Sequence, residues 1–294
     1  MASLFAPGGL ARRGARKLLS PLRDERLRRA VSRLQRDLTP LDAAALRAAL
    51  ESLIGEPPRV MVMHSSLSAC GRFVGGPDAV LDVLADYTVA LALVTHSYCY
   101  PEQPEEPGPV FDPVSTPSQN GLLTNVFRQR RGVMRSIHAT HSLAAAGPHV
   151  EALIAGHYVC DSPTGEGTPY SRLVQCRSAA LMFGVSFHYY TFFHTAEFES
   201  GSEYAFQAGA RDRLRVVDDT GRVRECLSRR QNWAPNRFAE AGDLLERKGL
   251  AHRVRLGRGV LRFVPDASKA HDFLIERLRR TPDFLRQSCA VELH

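Results

Sequence analysis

Two residues of this chain have the types and spacing needed for proton transfer: His194 and Glu197, three apart in the segment TFFHTAEFE. An imidazole titrates near neutrality, and a carboxylate one helical turn away can fix its tautomer and favour its charged form, as for a general base and its orienting partner. If residues 191–199 are helical, with Thr191 as the N-cap, the two side chains share a face. The preceding AALMFGV, residues 179–185, is a continuous apolar run that reaches a glycine at Gly184, which suits a strand buried on both faces. Strand, turn and helix together would put the pair at the end of a buried strand, where open α/β sheets carry their chemistry. The plainer alternative stays open: a histidine beside two phenylalanines is often a core residue, and His/Glu pairs at this spacing occur on many helices.

Other polar clusters invite weaker readings. RVMVM, residues 59–63, reads as a strand that runs directly into His64, Ser65, Ser66, Leu67 and Ser68. The backbone N–H and hydroxyl groups of such a turn could hold a phosphate, although serine-rich turns after strands are commonplace. In RSIHATHS, residues 135–142, His138 and His141 stand three apart among the hydroxyls of Ser136, Thr140 and Ser142. A third ligand at helical or strand spacing is missing, and the six cysteines are scattered without a Cys-x-x-Cys pair, so no metal is expected and the thiols are read as reduced. Residues 101–117 hold six prolines and read as an extended loop, a lid or a binding wall. Within it Asp112 could line the site, or simply cap the loop.

The elements that must position these groups alternate. Helices are expected at 40–53, capped by Thr39, from Gly75 to Tyr87, and at 120–131, 148–156, 169–176, 236–248 and 267–280. Strands are expected at 59–63, 89–95 and 179–185, and 143–147 is a compact Ala-rich segment. Two hairpins follow, 211–217 with 222–227 and 253–256 with 260–264. This order implies an α/β layered domain, with the antiparallel part packed on the same sheet or covering one side of the cleft. No linker divides residues 39–294, which read as one domain.

The net charge of +7 is unevenly placed. Residues 1–36 carry ten Lys/Arg against two acids, which leaves 28 basic and 29 acidic residues for the rest. The body is therefore close to neutral and gives no warrant for a nucleic-acid partner. Residues 1–38 are expected to form a basic helical arm that could touch an anionic membrane surface, or pack one stripe on its own domain or on the second subunit of a homodimer. No apolar run approaches the roughly 18 to 20 residues that span a bilayer, and no secretory apolar region opens the chain, so a cytoplasmic location is expected.

Several of these segments, in order, resemble the aminoglycoside 3-N-acetyltransferase family, acetyl-CoA-dependent enzymes distinct from the GNAT fold. The matching pieces are VMHSSLSA (62–69) with GGPDAV (75–80), FDP (111–113), RSIH (135–138) with THS (140–142) and GP (147–148), GEGTPY (165–170), and LMFGV (181–185) leading to Thr191, His194 and Glu197. The resemblance implies an α/β/α sandwich around a central mixed sheet with C-terminal antiparallel hairpins. It implies acetyl-CoA as donor and a small-molecule amine as acceptor, on an aminoglycoside or related aminosugar. It further implies that His64, Ser65, Ser66, Leu67 and Ser68, with Ser136, His138 and Ser142, contact the cofactor, that Asp112 and His141 face the acceptor, and that His194 is the base with Glu197 beside it. Ala139 stands where the family usually has proline after the histidine. Direct transfer is the expected route, because no cysteine occupies a matching motif position. Two other classes stay in view: the same chemistry on a non-antibiotic amine or hydroxyl in surface-glycan or secondary-metabolite synthesis, and a non-catalytic binding relative.

Overall fold

The computed structural model describes residues 40–103, 106–232 and 235–286. The basic arm, residues 1–38, and the expected cap Thr39 lie outside them. From Leu41 onward the chain is one unit by its contacts.

Its elements run α1 (Ala43–Glu51), β1 (Val60–Ser65), α2 (Leu67–Cys70), α3 (Gly76–Ala85), β2 (Ala90–Val94), β3 (Pro107–Phe111), α4 (Leu122–Phe127), β4 (Met134–Arg135), β5 (Leu143–Ala146), α5 (Val150–Ile154), α6 (Pro169–Gln175), β6 (Ala179–Phe183), α7 (Phe192–Glu199), β7 (Phe206–Val217), β8 (Val223–Gln231), α8 (Phe238–Arg247), β9 (His252–Leu256), β10 (Gly259–Val264) and α9 (Ala267–Arg280). Short 3-10 turns at His157–Val159, Phe187–Tyr189 and Glu203–Ala205 link some of them.

Seven strands make the central mixed sheet, in the order β4-β5-β2-β1-β6-β10-β9. β1 pairs in parallel with β2 on one side and β6 on the other, while β5 and β10 join antiparallel outside them. All five positions of β2 and of β6 are buried, the mark of strands covered on both faces. Alternate residues feed two cores: Val62, Ala180 and Met182 pack with α6, α7, α8 and α9, whereas Met61, Met63 and Leu181 pack with α1 and α3. The molecule is thus an α/β/α sandwich, as the resemblance implied. Because β1 lies between β2 and β6, the chain's path reverses across it, and the carboxyl ends of these three strands open at one switch point.

Three local expectations change. α1 begins at Ala43 rather than Pro40, because the Asp42 side chain accepts from the Ala45 N–H at 2.8 Å and supplies the cap. The proline-rich 101–117 segment contains a strand, β3, which pairs in parallel with β7. Its prolines are tolerated because β3 is the edge of a separate three-stranded sheet, β3-β7-β8, over a small core of Phe111, Ile137, Ala139, Leu214 and Val216. Thr191 does not cap α7, since its backbone is already helical (φ −57°, ψ −26°) and its hydroxyl makes no capping bond.

Candidate active site

β6 ends at Phe183, and Gly184 after it, with a φ of +70°, turns the chain sharply. A Cβ there would lie 2.6 Å from the Ser66 carbonyl oxygen, so the turns after β1 and β6 meet at a contact that only glycine permits. The Ser66 N–H donates to the Phe183 carbonyl at 2.8 Å and closes the same junction. Beyond the short turn at Phe187–Tyr189, α7 raises its two polar side chains.

His194 Nδ1 and Glu197 Oε2 are 2.7 Å apart, with the histidine side chain 25% exposed and the carboxylate 5%. The Tyr204 hydroxyl donates to the other carboxylate oxygen, Oε1, at 3.0 Å. Phe238 from α8 meets the His194 ring edge to face at 4.9 Å. Both oxygens of a buried carboxylate are therefore engaged, and Nδ1–H donation to Oε2 leaves the lone pair of His194 on Nε2.

One neighbour of this pair carries no motif in the sequence. His96, just beyond β2, approaches the Tyr170 hydroxyl through Nε2 at 3.0 Å and the Tyr98 hydroxyl through Nδ1 at 3.2 Å. Because the Tyr170 hydroxyl donates to the His141 carbonyl at 3.1 Å, it accepts from His96 Nε2–H, and His96 Nδ1 is left to accept from Tyr98. The His96 and His141 rings are 4.4 Å apart, and both feel the charge state of His194. Burial holds both far below the usual histidine range, so they serve as neutral hydrogen-bonding groups.

The other expected residues divide into two groups. His64, at the end of β1, accepts the Thr191 backbone N–H on Nε2 at 3.1 Å, which places its proton on Nδ1. Burial draws its pKa down to about 3. His64 Nδ1 and Ser65 Oγ are both buried without a hydrogen-bond partner among the described residues. Ser66 and Leu67 are half-buried on the same turn, and Ser68 is exposed.

Ser136, His138 and Ser142 sit deeper and use their polar groups inside the protein. Ser136 Oγ accepts from the Leu143 N–H at 2.8 Å and donates to His157 Nδ1 at 2.9 Å, while His157 Nε2–H donates to the Pro163 carbonyl at 2.9 Å. Ser142 Oγ donates to the Thr95 carbonyl at 2.7 Å and accepts from Arg135 Nε at 3.0 Å. His138 Nδ1 accepts from the backbone N–H groups of Thr140 and His141, at 3.2 and 3.1 Å. The buried Arg135 guanidinium also donates to the Thr95 carbonyl and lies over the Phe111 ring at 4.8 Å, and burial lowers its pKa to about 10. Asp112 turns its carboxylate to its own loop, taking the Val114 N–H at 2.8 Å and the Ser115 hydroxyl at 2.7 Å. Among the described residues no group of three or more His, Cys, Asp or Glu is arranged to hold a metal, and no helix is long and apolar enough to cross a membrane.

The chain is 32% identical over 183 residues to aminoglycoside N(3)-acetyltransferase VII of Streptomyces paromomycinus, an alignment covering 56% of this chain and 59% of that protein. It is 29% identical over 177 residues to aminoglycoside N(3)-acetyltransferase VIII of Streptomyces fradiae, covering 54% and 61%. These alignments thus span about three fifths of each relative's length. Among solved structures, aminoglycoside acetyltransferase AAC(3)-Xa superposes with a TM-score of 0.71 at 23% identity, over 90% of this chain and 100% of that one. AAC-IIIb in its binary complex with CoASH superposes with a TM-score of 0.69 at 22% identity, over 85% and 100%. These two likenesses show a shared fold. The sequence model of the family described as Aminoglycoside 3-N-acetyltransferase matches residues 62–279, and the chain belongs to that family.

Proposed function

We propose that this protein transfers an acetyl group from acetyl-CoA to an amine of an aminoglycoside or related aminosugar, by direct transfer with His194 as general base. The observation that carries the reading is the 2.7 Å pairing of His194 Nδ1 with the buried Glu197 carboxylate, which leaves Nε2 as the acceptor of a proton. Family membership and the names of the curated relatives support the reaction class, and the CoASH bound to AAC-IIIb supports the donor.

The donor supplies an acetyl group activated as a thioester; the chain supplies proton removal and positioning. An ammonium has no lone pair, so the acceptor must lose a proton to His194 Nε2 before or during attack; as the C–N bond forms the C–S bond breaks, and the imidazolium, stabilised by Glu197, returns a proton to the departing CoA thiolate. Base catalysis of this kind is worth about 10² to 10⁴ in rate. Holding the two reactants together supplies much of the rest. The unpartnered His64 Nδ1 and Ser65 Oγ fit a polar group of the donor, and we assign the 64–68 turn to it, while Ser136, His138 and Ser142, whose polar atoms bond within the protein, order the 135–143 turn.

Direct transfer is favoured over an acyl-enzyme by the state of the thiols. Burial pushes Cys70 up to about 12 and Cys226 up to about 11, and raises Cys99, Cys160 and Cys176 in the same direction, so none of these is a ready thiolate.

One observation favours a second reading of the acceptor. The Asp112 carboxylate, expected to draw in a cation, keeps its charge but turns each oxygen to a donor of its own loop, so no contact to the acceptor is preformed there, which leaves room for an acceptor of lower charge: a monoamino sugar, or a hydroxyl in glycan or secondary-metabolite synthesis. Free-thiol release from acetyl-CoA across polyamino, monoamino and amine-free sugars separates the readings. Release with polyamino acceptors above all supports the first, and release with monoamino or amine-free acceptors alone supports the second. The absence of acetyl-CoA binding would point instead to a non-catalytic relative.

A further inference from the structure

We infer that Tyr204 is a positioning residue for the reaction, a third member of a Tyr204–Glu197–His194 relay that holds the carboxylate in the place and charge state the base requires. The inference rests on the reading of His194 as the base and goes beyond it, because it assigns a role to a residue outside the segments that carry the family resemblance.

The geometry is specific. Glu197 is buried on α7 with one oxygen on His194 Nδ1 at 2.7 Å and the other accepting from the Tyr204 hydroxyl at 3.0 Å. A carboxylate so far out of water requires a partner for each oxygen, and here both partners are side chains within seven residues of it. Tyr204 reaches back from the 3-10 turn Glu203–Ala205, which follows the end of α7 at Glu199 and the turn at Gly201. That turn is anchored from two directions. The Asn232 side chain donates to the Tyr204 carbonyl at 3.1 Å, and the Arg286 guanidinium lies 6.0 Å from the centre of the Tyr204 ring.

The phenol remains a donor. Burial and the neighbouring Glu197 charge push its pKa up, with Asp283 acting in the same direction. The groups that face the relay are therefore His194 on α7, Asp283 and Arg286 beyond α9, and the Ser202 hydroxyl on the connecting turn.

The consequence for catalysis has a definite sign. A hydrogen bond donated to the ionised carboxylate stabilises that form. Without it Glu197 attracts a proton more strongly, and the Glu197–His194 pair keeps its shared proton to higher pH. The pair then behaves as a coupled unit whose productive state, neutral imidazole beside ionised carboxylate, is reached later on the pH scale.

Steady-state kinetics of Tyr204→Phe tests this. Loss of a hydrogen bond to a charged group should cut kcat by about tenfold while the acetyl-CoA KM stays within about twofold, and the acidic limb of kcat/KM should move to higher pH. Unchanged kcat and an unmoved limb would overturn the inference. If the phenylalanine variant fails to fold, site-specific 3-fluorotyrosine at position 204 keeps the shape and strengthens the donor. It should move the limb to lower pH, and an unmoved limb would again overturn the role. His194→Ala assayed alongside separates the two levels: activity retained there sinks the base assignment itself, whereas a dead His194→Ala with a wild-type Tyr204→Phe sinks only the relay.

Discussion

His64 and Thr191 are 127 positions apart, and the backbone N–H of Thr191 donates to His64 Nε2 at 3.1 Å, with the threonine hydroxyl 3.0 Å from the same nitrogen. The end of β1 is thereby bolted to the first turn of the helix that carries His194. A neutral imidazole is required, because a protonated Nε2 could not accept, and burial secures it.

His64→Ala removes that acceptor and opens a cavity beneath α7. Stability should fall by about 2–4 kcal/mol. Thr191→Val, which keeps the backbone donor and loses only the hydroxyl, should cost about 1 kcal/mol. Urea midpoints measure both, and a His64→Ala protein as stable as the parent would show that the contact holds nothing.

Acid should weaken this fold earlier than it weakens one limited by carboxylates. Burial holds His64 and His157 down at about 3, from an ordinary 6.5, and holds His96, His138 and His141 low as well. These groups bind protons in the unfolded chain but not in the folded one between those limits. Stability is therefore full above pH 6.5 and is lost as pH falls towards about 3, with each group adding a slope of about 1.4 kcal/mol per pH unit. Urea midpoints should drop between about pH 6.5 and about pH 5, above the range where carboxylates titrate. A flat profile there would contradict the neutral-histidine core.

How much of this was legible in the sequence depended on how local the determinant was. α9 falls on the expected 267–280 because its apolar period and the Asp266 cap are contained within it. β6 and the His194/Glu197 pair were readable for the same reason. His96 was not, because its meaning lies in Tyr170, 74 positions away, and in a carbonyl at His141. Tyr204 carried no period or motif, and only the fold of the turn after α7 brings it back to Glu197. β3 was hidden by prolines whose cost depends on whether a strand is central or at an edge. Thr191 looked like a cap because threonine usually is one, yet here its N–H serves a histidine from another strand.

Gly242, on α8, has no room for a side chain: a Cβ there would meet the Phe187 Cβ, Cγ and Cδ2. Phe187 begins the short turn that leads into α7, so crowding it pushes on the site as well as on the core. Gly242→Ala should lower stability by about 1–3 kcal/mol, despite alanine's better helix propensity, and should lower Tm accordingly. A variant with raised Tm would mean that α8 is not seated against that turn.

The central claim is that one imidazole removes the proton of the acceptor. Its most direct measurement is the rate of CoA thiol release by His194→Ala at saturating acetyl-CoA and acceptor, with acetyl-CoA binding and circular dichroism recorded on the same sample. Proton removal by His194 predicts a loss of at least about a hundredfold in kcat with donor binding and fold intact. A correctly folded His194→Ala protein that turns over within a few-fold of the parent would contradict it.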